Sequence, residues 1–319
     1  MESLVTNLLF TLELLYTLLQ VLAYWLVGIV KALCPIGVLP RKSVVGHQVL
    51  ITGSGSGIGR LMAIEFAKLG AQLILVDINE KSIEQTREQI EALGGTARCY
   101  RCNLADRNDI RQVISRVEQE AGEVDILINN AGIVTGGQLV DCGDEKIELT
   151  MKVNALAHLY LLKCVLPSMQ RRNTGHVVTI ASGAGLFGCA DLIDYCSSKF
   201  AAVGLSESLF LEDHAHGYSG IKHTLICPYY INTGMFDGVT TRFPRLLPIL
   251  DPELAVSRIM EAILTNQLML LMPRILYVLY FVKGLLPVEC ALILADFSGI
   301  TRSMDHFVGR NGNAKTKNC

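Results

Sequence analysis

An eight-residue run, Thr52-Gly-Ser-Gly-Ser-Gly-Ile-Gly59, constrains this chain more than any other feature. It follows a short β-rich run and leads into a helical pattern. Glycines so placed permit a tight turn, let backbone amides approach a pyrophosphate, and allow close helix–strand packing. The spacing is T-G-x-x-x-G-I-G, with Gly53, Gly57 and Gly59 as its glycines and Ser56 and Ile58 among them. A glycine-rich turn can serve packing alone, but its position between strand and helix favours a nucleotide cradle.

The turn belongs to a longer alternation. Between Val44 and Pro273, strands are predicted at Gln48–Thr52, Gln72–Asp77, Thr96–Cys102, Asp125–Asn129, His176–Ala181, Ile221–Cys227 and Leu268–Met272. Helical stretches such as Asn79–Leu93 and Asp106–Ala121 separate them. Such alternation argues for βαβ units, right-handed crossovers and a parallel sheet. The expected fold is α/β, a single doubly wound Rossmann-type domain of about seven strands with its ligand crevice at the strand C-termini.

Residues 1–43 read differently. Leu14 to Val30 is 17 residues without Asp, Glu, Lys or Arg, the short end of what spans a bilayer. Glu13 interrupts the apolar stretch before it, and neither the leader nor the exit Lys31-Ala-Leu-Cys-Pro35 resembles a cleaved signal peptide. An uncleaved anchor is expected, either spanning the bilayer or lying in one leaflet. Lys31, Arg41 and Lys42 follow it and no Lys or Arg precedes it, which directs the body to the cytosol. The mean hydropathy of +0.38 is high for a purely soluble enzyme and fits contact with membrane lipid. A net charge of −2 offers no basic field for nucleic acid. The ten cysteines are scattered; Cys99 and Cys102 lack a second pair or nearby His to complete a zinc site, so no metal is expected.

After a catalytic stretch at 44–273, an apolar extension covers 274–308 and a polar tail 309–319. Lys283, Pro287 and Glu289 break the extension into pieces too short to span, leaving a packing element or a membrane-skimming one. Lys315 and Lys317 have the spacing of a cytosolic endoplasmic-reticulum retrieval signal.

Asp77 ends the second strand 18 residues after Gly59. A carboxylate there can accept both hydroxyls of an adenosine ribose and would repel a 2′-phosphate, which favours NAD over NADP; a helix N-cap is its plainer use. Tyr195 and Lys199 stand four apart, on one helical face. A phenol is a poor acid/base at neutral pH unless its phenolate is stabilised, and Lys199 supplies the charge to do so. Ser182, 13 residues upstream, can hydrogen-bond a substrate oxygen. Asn129-Asn130-Ala131-Gly132 closes another strand on the cofactor side, and Asn154 can hold a water linking Lys199 to solvent.

The glycine turn, N-N-A-G, Ser182 and Tyr195-x-x-x-Lys199 occur in one order, and over about residues 45–273 the chain resembles the short-chain dehydrogenase/reductase family. The resemblance implies Tyr195 as acid/base, Lys199 as its activator and ribose ligand, Ser182 as substrate orienter and Asn154 as relay support. It adds Asn103 and Leu104 at the adenine, where the family often has Asp, and Pro228 and Thr233 in the segment closing over the nicotinamide. It also implies a homodimer through the helices carrying Asn154 and Tyr195.

The anchor, Val76-Asp-Ile-Asn79, Asp194-Tyr-Cys-Ser-Ser-Lys199 and Thr233-Gly-Met-Phe-Asp-Gly238 look like one membrane-bound branch of that family, which holds epidermal retinol dehydrogenases and certain 17β-hydroxysteroid dehydrogenases. The expected substrate is a lipophilic alcohol, all-trans-retinol first, with a hydroxysteroid or long-chain fatty alcohol as the alternative. A non-catalytic membrane or lipid-droplet protein is a third reading, against which the complete residue set weighs. The expected site is the endoplasmic reticulum membrane.

Overall fold

A computed structural model describes residues 2–309. Two units separate at Lys42 and Ser43. The first is a 32-residue helix, α1 (Glu2–Leu33), whose stretch Val5–Val30 is long and apolar enough to cross a membrane and has none of its surface buried. Lys315, Lys317 and the rest of the tail after 309 lie outside the described residues.

The second unit runs β1 (Gln48–Thr52), α2 (Gly57–Lys68), β2 (Gln72–Asp77), α3 (Glu80–Ala92), β3 (Thr96–Arg101), α4 (Arg107–Glu120) and β4 (Ile126–Asn129). It continues with α5 (Asp144–Met151), a π turn at Lys152–Leu156, α6 (Ala157–Arg172), β5 (Gly175–Ile180), α7 (Ile193–Ala215) and β6 (Ile221–Pro228). Then follow α8 (Pro252–Leu264), β7 (Met269–Met272), α9 (Ile275–Leu285) and α10 (Val288–Ser298). The seven strands are parallel in the order β3-β2-β1-β4-β5-β6-β7, the doubly wound Rossmann-type sheet expected.

The local chemistry explains these elements. Val49, Leu50 and Ile51 of β1 are wholly buried, as a central strand covered on both faces requires. In α4, Ile110, Val113, Ile114 and Val117 recur at helical spacing and face the sheet, and the Asp106 side chain caps the helix by accepting from the Asn108 N–H at 2.8 Å. One apolar layer packs α2 and α8 on one sheet face; a second packs α4 and α6 on the other. Strand ends differ from the sequence reading by a residue or two. Asp125 stands outside β4 because its carboxylate accepts from the Gln48 N–H at 2.9 Å and binds the Arg172 guanidinium at 2.8 Å. The chain reverses direction of winding between β1 and β4, which opens a crevice there.

Candidate active site

A cavity of about 1200 Å³ runs from that crevice towards the C-terminal helices. Gly53, Ser56, Gly57, Ile58, Gly59 and Asp77 line one end, and Asn103, Leu104, Asn130, Ala131 and Gly132 line its flank. Ser182, Tyr195, Lys199, Pro228 and Thr233 line the middle.

The glycine end is built for an anion. Helix α2 starts at Gly57 with no acidic side chain in its first turn, so its amides and dipole face the cavity without a competing carboxylate. Gly53 and Gly57 hold φ of +66° and +54°, where a side chain is strained. A Cβ on Gly59 would lie 2.2 Å from the Gly53 carbonyl oxygen, so this helix can approach the turn only as glycine. The Asn130 amide donates to the Thr52 carbonyl at 2.8 Å and ties the β4 end to the turn.

Asp77 is fixed by the backbone: one carboxylate oxygen accepts from the Gly55 N–H and the other from the Asn79 N–H, each at 3.0 Å. Sequence reasoning missed Arg60, the cation next to the cradle. Its guanidinium is spent on the Gly55 and Ser82 carbonyls and the Thr86 hydroxyl, and it does not line the cavity. Its place directly after Gly59 was the available signal. The Asn103 amide oxygen accepts from the Ala105 N–H at 3.1 Å, which fixes the side chain at the cavity flank.

Helix α7 brings Tyr195 and Lys199 together, both buried, with the Lys199 ammonium 5.8 Å from the centre of the phenol ring. Burial pushes the Tyr195 phenol up, and the Ser182 hydroxyl draws it partly back. Burial drives Lys199 the other way, down to about 8. Lys199 donates to the Ile180 carbonyl at 2.9 Å, which aims it along the end of β5. Ser182 is held by the Ala184 N–H at 3.1 Å.

Asn154 is fixed by its neighbours. Its side chain is wholly buried outside the cavity lining. The amide oxygen accepts from the Ile133 N–H at 2.8 Å, and the amide nitrogen donates to the Ile133 carbonyl and the Ser198 hydroxyl at 2.9 and 3.0 Å. The side chain therefore fastens the loop after β4 to α7. One helical turn on, His158 is buried and kept neutral, pushed down to about 3 by burial and by Lys199.

Beyond Tyr195 the cavity turns apolar. Phe187, Tyr229, Tyr230, Met235, Phe236, Phe243, Leu246 and Leu247 line it, joined by Leu276, Leu279, Leu292 and Phe297 of α9 and α10. The outer sides of those two helices leave Phe281, Leu285 and Ile293 largely exposed. The extension thus packs on the cavity with one side while presenting apolar groups on the other. A phenol and a hydroxyl beside a buried cation, between an anion cradle and an apolar tunnel, can orient a lipophilic carbinol and take its proton.

Known proteins agree with this geometry. The short chain dehydrogenase family model matches residues 47–242. The chain is 49% identical over 273 residues to mouse epidermal retinol dehydrogenase 2, covering 85% of this chain and 88% of that protein. It is 42% identical over 305 residues to bovine retinol dehydrogenase 10, covering 87% and 89%. Among solved structures, a metagenomic short-chain oxidoreductase in complex with NADP aligns at TM-score 0.61 and 25% identity over 72% of this chain and 97% of that one. A Burkholderia phymatum short chain dehydrogenase/reductase in complex with NAD aligns at TM-score 0.68 and 24% identity, over 79% and 96%. With a family model over most of its sheet and such relatives along nearly its whole length, the chain belongs to the short-chain dehydrogenase family and is an oxidoreductase of the alcohol dehydrogenase kind.

Proposed function

We propose that the protein oxidises all-trans-retinol to all-trans-retinal with NAD. The observation that carries this reading is the meeting of Tyr195 and Ser182 with a glycine cradle on one side and an apolar tunnel on the other. The relatives named for retinol dehydrogenation at 49% and 42% identity supply the substrate. The residues fit a nicotinamide dinucleotide. Gly57–Gly59 would take the pyrophosphate, Asp77 the ribose hydroxyls, Asn103 and Leu104 the adenine, and Pro228 and Thr233 the nicotinamide. Asp77, with no free cation beside it in the cavity lining, favours NAD over NADP. When bound, the dinucleotide accepts the hydride from the carbinol carbon.

The chain's own residues perform the rest. Ser182 donates to the substrate oxygen and holds the carbinol towards Tyr195. The Tyr195 phenolate takes the hydroxyl proton, leaving the aldehyde. Lys199 stabilises that phenolate and would donate to the cofactor ribose, and Asn154 supports the water through which the proton leaves. The apolar segment after β6, residues 229–247, forms a lid that excludes bulk water.

Helix α1 anchors the enzyme in the endoplasmic reticulum membrane with residues 44–273 facing the cytosol, so retinol arrives from lipid. Exposed Leu159 and Phe200 on α6 and α7 fit a homodimer through those helices, which light scattering in detergent tests. The deciding assay uses membranes from cells expressing wild type or Tyr195→Phe, given all-trans-retinol with NAD or NADP. Retinal formed with NAD and lost in the variant supports the reading. Folded wild type making none overturns retinol and sends the same membranes to hydroxysteroids and fatty alcohols.

A further inference from the structure

The segment that ends the described chain, residues 303–309, reaches back more than a hundred positions to Tyr195. Met304 and Phe307 are buried in one cluster with Tyr195, Tyr230 and Val239. Phe236 from the lid stacks edge-on against Tyr195 at 5.5 Å between ring centres, and Phe307 lies behind Phe236 at 6.3 Å. Phe307 also fills the space beside Gly136, in the loop after β4, where a Cβ would come within 2.5 Å of its ring.

Backbone bonds fasten the same segment to the lid. The Val308 and Gly309 N–H groups both donate to the Asp237 carbonyl, at 2.8 and 3.2 Å, and the Thr240 N–H donates to the Ser303 carbonyl at 3.1 Å. The Ser303 hydroxyl lies 3.2 Å from the Tyr230 hydroxyl. At Gly238 the approach is so close that a Cβ would sit 1.9 Å from the His306 carbonyl oxygen. The lid is therefore clipped at three successive points, while Phe307 bridges it to the loop that follows N-N-A-G.

We propose that residues 303–309 form a latch for the substrate lid, and that Phe307 is a positioning residue of the active site. It does not itself line the cavity, and acts from behind the wall by holding Phe236 against Tyr195. Releasing the latch frees the lid and weakens capture of a large apolar substrate, while leaving the cofactor end intact. The kinetic half of this inference rests on the retinol reading; the latch itself does not.

The test uses the full chain in detergent or membranes, with Phe307→Ala and Gly238→Ala breaking the contact from opposite sides and Phe307→Leu as the conservative replacement. Hydrogen exchange at the lid amides of Val239, Thr240 and Leu246 should speed up by about tenfold or more in both disruptive variants, with β1 and α2 unchanged. Retinol KM should rise by about tenfold with kcat held within about threefold, and Phe307→Leu should restore most of it. NADH binding, read by the fluorescence of the nicotinamide, should be unaltered. Lid exchange that stays at the wild-type rate overturns the latch, as does faster exchange spread evenly over the sheet. Faster lid exchange in a protein that turns over no retinol keeps the latch and overturns the substrate.

Discussion

Replacing Asp77 by Asn tests the cofactor assignment through a single charge. The carboxylate is held in place by the Gly55 and Asn79 amides, so it cannot swing away from a 2′-phosphate seated beside it. At a separation of about 5 Å and an effective dielectric near 20, one pair of unit charges costs about 3 kcal/mol. Asp77 is only half-buried, and solvent screening brings the repulsion to about 1.5–2 kcal/mol, or a ten- to thirtyfold preference for NAD. Arg60 does not offset it, because its guanidinium is taken by backbone carbonyls. Asn keeps the size of the side chain and one acceptor oxygen while removing the charge. Titrating NADH and NADPH by their own fluorescence should therefore show the NADH preference falling about ten- to thirtyfold in Asp77→Asn, chiefly through tighter NADPH binding. A ratio that moves less than about threefold, or a wild type that binds NADPH more tightly, would refute the electrostatic argument.

Tyr195→Phe should lower kcat by about a thousandfold or more while NADH still binds, since the ring packing against Phe236 survives and only the proton acceptor is lost. Oxidation should speed up as pH rises from neutral, because burial holds the Tyr195 phenol protonated there; the profile of kcat/KM checks this, and Lys199→Met should move its rise to higher pH. The same lysine sets a stability trend. Its folded value of about 8 lies below the 10.5 of an exposed lysine, so between the two the unfolded chain binds more protons and Lys199 contributes increasing stability with pH. Lys199→Met should then raise the cofactor-free Tm at pH 7 by about 3 °C or more in a thermal melt. Asn103→Ala should weaken NADH by about tenfold at most, since half of that amide already serves the backbone of Ala105.

The sheet was legible because its central strands β1, β2 and β4 are runs rich in Val, Ile and Leu bounded by turn residues, and both faces of β1 and β4 are covered. The cradle was legible for a related reason: Gly53 and Gly59 sit where backbone meets backbone, so only one residue type survives there and the spacing shows. Tyr195 and Lys199 were found by helical spacing together with the glycine turn, N-N-A-G and Ser182 occurring in order before them. What stayed hidden were the uses of side chains that bond to distant backbone. Asn154 looks like a water ligand in a linear reading, yet its amide closes on Ile133, 21 positions earlier, across the π turn. Arg60 reads as a surface cation, yet it is consumed by the turn it follows.

The substrate half follows a different logic. Its walls come from the stretch after β6 and from α9 and α10, where apolar residues are abundant and no spacing separates a cavity wall from an outer surface. In the extension, Leu276 lines the tunnel and is buried while Val278 two places on is 54% exposed, although both are aliphatic. Hydrophobicity alone cannot assign such neighbours to opposite sides, because a helix placed between a cavity and an apolar exterior has no polar face to mark its orientation. The polar groups that do reach the wall are partnered, Lys283 on the Leu186 carbonyl and Tyr230 on the Ser303 hydroxyl, which suits a retinol-like substrate, since a donor left without a partner would be desolvated at a cost. Specificity must then come from shape, and shape here depends on how firmly Phe236 and Tyr230 are held against Tyr195. Their fastening lies at the other end of the chain, in three backbone bonds to residues 303–309. Backbone bonds leave almost no trace in side-chain identity; Gly136 and Gly238, each at positive φ beneath the latch, are the residues that betray it.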